Sequence, residues 1–375
     1  MKYQVYADNA ATTRLDEVAF EAMLPWLKDN YGNASQPYSF AREPKKALAA
    51  ARETIAACIG ANPEEIFFTS GGTESDNWVI KSSAFADVDR RATITSAFEH
   101  HAILRSCATI ERLGYPVAYL RPTADGLILA ETLRRIITKQ TRLVSVMFAN
   151  NELGSIQPVK DLCAVAHEYG ALFHTDAVQA VGHIPINVHD LSVDYLSASA
   201  HKFNGPKGVG FLYVRKGLDL LPYADGGSQE KGHRAGTENI ASIVGMAAAL
   251  RENCNAIEKN VQFLSNLEKR LLEGLREAGV KFIRNGGANT LPGLLSLSFP
   301  GRDGEAILHR MDLMGISIST GAACDSINTQ KSHVLDAINL EDDLAFGTIR
   351  ISLGRYNTES DVDMIASGLS RILNT

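Results

Sequence analysis

Nothing in this sequence offers a disulfide framework or a zinc knuckle, because its five cysteines are odd in number and include no CxxC pair. No apolar run nears the ~20 residues that cross a bilayer. The most apolar stretch, ASIVGMAAAL, covers only residues 241–250. The opening MKYQVYADNA reads as neither signal peptide nor anchor. A block of basic charge is missing too. The 37 Lys and Arg are scattered among 43 Asp and Glu, for a net charge of −6. Nucleic acid is therefore not expected as the main partner, since phosphate-backbone binding wants clustered positive charge. There is no Walker GKS or GKT, no GxGxxG fingerprint and no HExxH. Glu99, His100 and His101 stand in a row, but adjacent histidines rarely share one ion, so no metal site is expected. Repeats, low-complexity segments and long linkers are absent as well. What remains is a soluble protein of a reducing cytoplasm, with no membrane partner.

What is present is an ordinary globular balance. The 375 residues are 45% hydrophobic and 21% charged, enough for two domains and a large core. From about residue 40 to 215, β-rich runs alternate with helical patterns. The strands are EIFFTS (65–70), ATITS (92–96), VAYL (117–120), RLVSVMFA (142–149), ALFHTD (171–176), VDYLSAS (193–199) and GFLYV (210–214). Several are apolar throughout, as strands buried on both faces are. The alternation predicts an α/β fold, a mainly parallel sheet covered by helices. A long helical stretch over roughly 238–278 then leads to a different mix, including GLLSLSFP, EAILHRMDLMG, SISTG and TIRISL. The expected organisation is a large domain over 16–260 and a smaller α+β domain made of 1–15 and 261–375.

In open α/β sheets, ligands gather at the carboxyl ends of the strands. After 65–70 comes GGTESDN, a glycine pair opening a helix, with Thr73 in its first turn. Free amides and the helix dipole favour an anion there, although such a pair also serves as a plain cap. Further along stand His100, then Asn150 and Asn151, then Asp176 and Gln179, and finally Ser199, His201 and Lys202. Taken alone, Lys202 reads first as a solvated surface lysine. Asp176, ending an apolar strand, needs a positive partner if buried. A phosphate cradle, an acid awaiting a cation, amides, a histidine and a lysine are together what pyridoxal phosphate asks for. Its phosphate needs anion donors, its aldehyde a lysine Schiff base, and its ring nitrogen an Asp.

The motifs YADNAATTR, FTSGGTESDN, EHHA, NNELG, HTDAVQ, SAHKFNGPKGVG, RAGTEN, STGAAC and RISLGRYN occur in the order seen in cysteine desulfurases. The chain resembles that family, fold-type-I pyridoxal phosphate enzymes akin to class V aminotransferases, from about residue 5 to 357. The resemblance implies that Lys202 bonds the cofactor aldehyde and Asp176 pairs with the ring nitrogen. It implies that His100 stacks on the ring and Gln179 bonds the phenolic oxygen. Thr73, Ser199, His201 and the Gly72 backbone would hold the phosphate. Asn151 would lie at the ring or substrate edge, and Arg350 would take the substrate carboxylate. Thr237 resembles the residue that reaches a neighbouring subunit's phosphate, which implies a homodimer. The chain departs from the family at Tyr38, where histidine is common, at Ala41, where glycine is common, and at Ala149, which replaces a frequent histidine. These departures bear on the access path and the sulfur acceptor.

Cys58, Cys107, Cys163 and Cys254 fall in helical patterns and read as small hydrophobes. Cys324 differs, because it sits in the loop-like STGAACDSINTQKSH. Its own surroundings leave it open between an ordinary loop thiol and a nucleophile. The family resemblance makes it the thiolate that attacks the sulfur of L-cysteine, leaving a persulfide and alanine. His100 would then be a proton acceptor for the substrate thiol. The implied partners are L-cysteine, a sulfur-acceptor or iron–sulfur scaffold protein, and a second copy of the chain. Rival readings are a selenocysteine lyase or another aminotransferase-like pyridoxal enzyme, a catalytically idle scaffold, and a nicotinamide oxidoreductase.

Overall fold

The computed structural model describes residues 4–87, 89–218, 220–320 and 331–374. Seven strands form one sheet in the order Ile66–Thr69, Gly210–Val214, Tyr195–Ser199, Leu172–Asp176, Thr141–Ser145, Ala92–Ser96 and Val117–Leu120. Gly210–Val214 runs antiparallel to both its neighbours, and every other pairing is parallel. The mainly parallel sheet expected from the alternating pattern is thus the one found. Tyr195–Ser199 and Gly210–Val214 are buried along their whole length, which is why their residues read as continuous rather than alternating runs. The run 142–149 is shorter as a strand than its composition suggests, ending at Ser145. Its continuation still donates from Val146 N–H to His174 O and from Phe148 N–H to Asp176 O, so it follows the neighbouring strand toward the sheet's end.

The stretch 238–278 is two helices, Ile240–Asn255 and Ile257–Glu277, with Ala256 non-helical between them. The break has a packing reason. Ile243, Met246, Ala249 and Leu250 of the first helix join the hydrophobic core beside the seven-stranded sheet. Leu264, Leu267, Leu271 and Leu275 of the second, at helical spacing, join a separate core. Full burial of one such leucine stabilises by about 1.5–3 kcal/mol, so one straight helix would leave one of these faces uncovered.

That second core lies on a four-stranded antiparallel sheet in the order Ser319–Thr320, Thr348–Ser352, Leu294–Ser298 and Ile283–Asn285. Val5–Tyr6 pairs with Ile316–Ser317, and Val5 and Ala7 belong to this core. The N-terminal segment then crosses to the first unit, where Thr13 N–H donates to His201 O. It ties the two units together beside Lys202. Among the described residues, no helix is long and apolar enough to cross a membrane.

Candidate active site

The carboxyl ends of the parallel strands open into a cavity of about 430 Å³. Gly72, Thr73, His100, Asn151, Asp176, Gln179, Ser199, His201, Lys202 and Arg350 all line it. Ten residues scattered over nearly 280 positions of chain meet in one place: nine lie at or beyond the ends of strands of the large sheet, and Arg350 comes from Thr348–Ser352 of the other. Two residues singled out in the sequence stand apart. Thr237 is exposed and does not line the cavity. Cys324 lies outside the described residues.

One wall is built by the helix Gly72–Phe85, which starts without any side-chain cap. Gly71, just before it, has φ 146°, a conformation that favours glycine. A Cβ on Gly72 would meet Val178 Cγ2 at 2.5 Å, so only a bare backbone fits there. The first amides of the helix therefore face the cavity beside the hydroxyls of Thr73 and Ser199. His201 adds an imidazole whose Nδ1 shares a hydrogen bond with Thr12 Oγ1 at 3.1 Å. Burial, with Lys202 and Lys207 nearby, pushes that imidazole down to about 4, so it is neutral at pH 7. The wall offers neutral donors and a helix dipole, the means by which proteins hold a phosphate.

Opposite chemistry stands at the end of Leu172–Asp176. Asp176 is 5% exposed and accepts the Val178 N–H at 2.9 Å. Burial raises its carboxyl to about 6, against the lowering effect of the Val178 N–H and the Lys202 charge. It is a buried acid in want of a cation. Lys202 Nζ donates to Ala10 O at 2.5 Å and Ala11 O at 2.8 Å, which holds it against the N-terminal segment. Gln179 donates Nε2 to Ala10 O at 2.9 Å and keeps its second N–H for a ligand.

His100 caps the helix His101–Arg112, its Nδ1 accepting the Ala102 N–H at 3.2 Å. Burial, then the charge of Lys202, lowers it to about 4. With Nδ1 accepting, the neutral ring carries its proton on Nε2. In this resting form His100 donates through Nε2, and its basic nitrogen, Nδ1, is occupied by the Ala102 N–H. Arg350, on Thr348–Ser352, is 5% exposed. It is fixed by Asp8 Oδ1 at 2.7 Å and by Asn151 O at 3.0 Å. Its Nε has no hydrogen-bond partner among the described residues. A buried guanidinium with capacity to spare suits a substrate carboxylate.

Several residues in or beside the cavity escape a reading of the sequence. Asp8 orients Arg350, and nothing in YADNAATTR marks its carboxylate for that task. Glu152, 5% exposed, accepts from Ser332 Oγ at 2.6 Å, and burial holds it up at about 7. Lys331, Ser332 and His333 line the cavity, and the His333 ring lies 4.7 Å from that of His101. The adjacent histidines EHHA were the only signal on that side. Ala149, one of the departures from the family pattern, also lines the cavity, whereas Tyr38 is exposed and Ala41 buried.

Thr237 belongs to a segment anchored close by. Arg234 donates to both carboxylate oxygens of Glu74, at 2.9 and 3.1 Å, and Glu74 directly follows Thr73. The four cysteines expected on helices are there: Cys58, Cys107, Cys163 and Cys254 lie in Arg42–Ile59, His101–Arg112, Val159–Glu168 and Ile240–Asn255.

The chain is similar to known proteins along nearly its whole length. The family described as aminotransferase class-V matches residues 5–365. The cysteine desulfurase IscS of Dictyoglomus turgidum is 46% identical over 375 residues, covering 100% of this chain and 95% of the relative. A solved NifS-like protein superposes with a TM-score of 0.93 at 38% identity, covering 99% of this chain and 100% of that one. A structure described as SspA in complex with cysteine has a TM-score of 0.83 at 37% identity, covering 94% and 100%.

Proposed function

The chain belongs to the class-V aminotransferase family and, within it, to the cysteine desulfurases, and on that footing we propose how its residues divide the conversion of L-cysteine to L-alanine. The observation that carries this reading is the cavity where Lys202, Asp176 and the uncapped helix at Gly72 meet. Those groups fit pyridoxal phosphate. The Gly72 amide, Thr73, Ser199 and His201 suit its phosphate, Asp176 its ring nitrogen, Gln179 its phenolic oxygen, and Lys202 its aldehyde. His100 and Asn151 would lie against the ring. When bound, the cofactor supplies an electron sink for the substrate carbanion.

Arg350 holds the carboxylate of L-cysteine, with Asp8 and the Asn151 carbonyl keeping its guanidinium in place. Lys202 Nζ moves the proton at the substrate Cα, and its hydrogen bonds to Ala10 and Ala11 define where that amine rests. Neutral His100 takes part in the proton traffic of the substrate thiol through Nε2. The Cys324 thiolate then attacks the substrate sulfur. An S–S bond forms as the substrate C–S bond breaks, and the remaining fragment takes up a proton and leaves as L-alanine. In sum, one thiol and one L-cysteine give one persulfide and one L-alanine, with no outside electron source. Cys324 is seven residues before Lys331, which lines the cavity, and seven residues of chain span at most about 25 Å. That reach is compatible with loading at the cavity and delivery elsewhere.

The sulfur passes from Cys324 to an acceptor, for iron–sulfur cluster assembly or another sulfur pathway. We also assign Thr237 to the phosphate of a second copy of the chain, in a homodimer of the reducing cytoplasm. Its exposure in the single chain and the anchoring of its segment by Arg234 support that role. The test is alanine release from L-cysteine by cofactor-loaded protein, with and without a thiol reductant. Turnover that depends on the reductant is expected. No alanine under either condition refutes the reading.

A further inference from the structure

Asp76 has no place in the chemistry above, yet it lines the same cavity. It lies one turn into the helix Gly72–Phe85, which packs across the strands Leu172–Asp176 and Tyr195–Ser199. His174 and Asp176 are two residues apart on one strand and so share a face. Ser145 and Ser197 stand in register beside these two, Ser145 opposite His174 and Ser197 opposite Asp176. Together Ser145, His174 and Ser197 form a row of hydrogen bonds across three strands, at 2.8 Å to Nδ1 and 2.9 Å from Nε2. Asp76 sits against this row, with Oδ1 3.7 Å from His174 Nε2.

The row cannot supply Asp76 with a cation. His174 is fully buried between two hydroxyls, and burial pushes it down to about 3, so it stays neutral. Its Nε2 is already committed to Ser197. Asp76 itself is 1% exposed, and its Oδ1 has no hydrogen-bond partner among the described residues. A buried, ionised carboxylate in that position is expensive, and the group keeps its proton instead. The other charged groups near it are acids. Asp176 and the fully buried Glu99 both oppose a negative charge on Asp76. Of the acids, Asp176 has the better claim to the charge, since it accepts the Val178 N–H and feels Lys202. Asp76 has only the neutral Ser197 hydroxyl to set against its burial and the two acids, and two carboxyls in one cavity so unequally served divide into an anion and an acid.

We propose that Asp76 is the proton-bearing partner of Asp176, so that the pair presents one negative charge, rather than two, to the cofactor's ring nitrogen. Its role toward the cofactor rests on the assignment of Asp176 above, whereas the proton on Asp76 belongs to the cofactor-free protein. Asp76 acts through Asp176 and is a positioning residue. A second full charge would overstabilise a protonated ring and bind Lys202 as an ion pair. An acid in its place leaves the charge on Asp176.

Infrared difference spectroscopy of the cofactor-free protein tests this without any turnover. Wild type at pH 7 minus Asp76→Asn should show one lost carbonyl stretch of a protonated carboxylic acid, a band that Glu99→Gln does not remove. In Asp176→Asn the same band should titrate at lower pH, because the neighbouring charge is gone. If Asp76→Asn does not fold, NMR of isotope-labelled aspartate carboxyls in wild type and Asp176→Asn reads the same two properties. On the loaded protein, Asp76→Asn should retain the visible absorption of added pyridoxal phosphate and its pH dependence, while Asp76→Val should shift that dependence. An Asp76 carboxylate that is ionised at pH 7, or a titration unmoved by Asp176→Asn, overturns the proposal. A band present in protein that binds no pyridoxal phosphate would instead keep the pair and refute the cofactor assignment.

Discussion

Replacing Asp176 by Asn should make the cofactor-free protein more stable and the loaded protein weaker. The amide keeps the shape of the side chain, and its oxygen can still accept the Val178 N–H at 2.9 Å. What disappears is the charge. Burial holds the Asp176 carboxyl at about 6, roughly two units above its ordinary value of ~4, which at ~1.36 kcal/mol per unit is about 3 kcal/mol. A carboxyl raised by folding does no harm below its unfolded value and loses stability as pH climbs through the folded one. Asp176→Asn should therefore match wild type near pH 4 and exceed it by up to about 3 kcal/mol above pH 6. The same substitution takes the partner from a buried cation, a loss of about 3–5 kcal/mol. Pyridoxal phosphate should then bind about 10²–10⁴-fold more weakly. Calorimetry of cofactor-free protein from pH 4 to 8 reads the first effect, and an absorbance titration with pyridoxal phosphate reads the second. A variant that is less stable than wild type at pH 8 and binds the cofactor equally well would refute the assignment.

Lys202→Ala should still bind pyridoxal phosphate, but borohydride should no longer fix it to the protein, and alanine formation should fall at least ~10³-fold, about 4 kcal/mol of barrier. His174, neutral and buried, contributes stability above its unfolded value near 6.5 that is lost as pH falls toward 3. Its full share is up to about 5 kcal/mol. His174→Gln should flatten that acid limb in denaturant titrations at stepped pH, and an unchanged limb would show that His174 already charges in the fold. Mixing Lys202→Ala with Thr237→Ala subunits should restore some activity through hybrid sites, and no recovery despite proven subunit exchange removes Thr237 from the partner's site.

Much of this site was legible because its residues follow strands. Thr73, His100, Asp176 and Ser199 each stand where an apolar run ends, and the sheet does the rest by bringing those ends together. Arg350 is different, since it comes from another sheet, and only the resemblance carried by RISLGRYN pointed to it. Asp76 had no signal, because an acid in the second turn of a helix looks the same in sequence whether it faces water or a buried histidine. The pairing of Glu152 with Ser332 joins residues 180 positions apart, and no local pattern encodes it. The break at Ala256 was invisible for a related reason. Neither proline nor glycine marks it, and it exists because two cores claim the helices on either side.

In the proposed account, Cys324 is the residue that separates sulfur transfer from the other reactions a pyridoxal cavity can run. The most direct measurement is a single turnover with L-cysteine and no reductant, followed by peptide mass analysis. Wild type should release one alanine per site and gain one sulfur, about 32 Da, on the peptide containing Cys324, reversible by a thiol. Cys324→Ser should still bind L-cysteine yet show neither the added mass nor alanine, because a serine hydroxyl is scarcely ionised near neutral pH. Alanine and sulfide released by Cys324→Ser at the wild-type rate would contradict the sulfur relay and leave a direct lyase in its place.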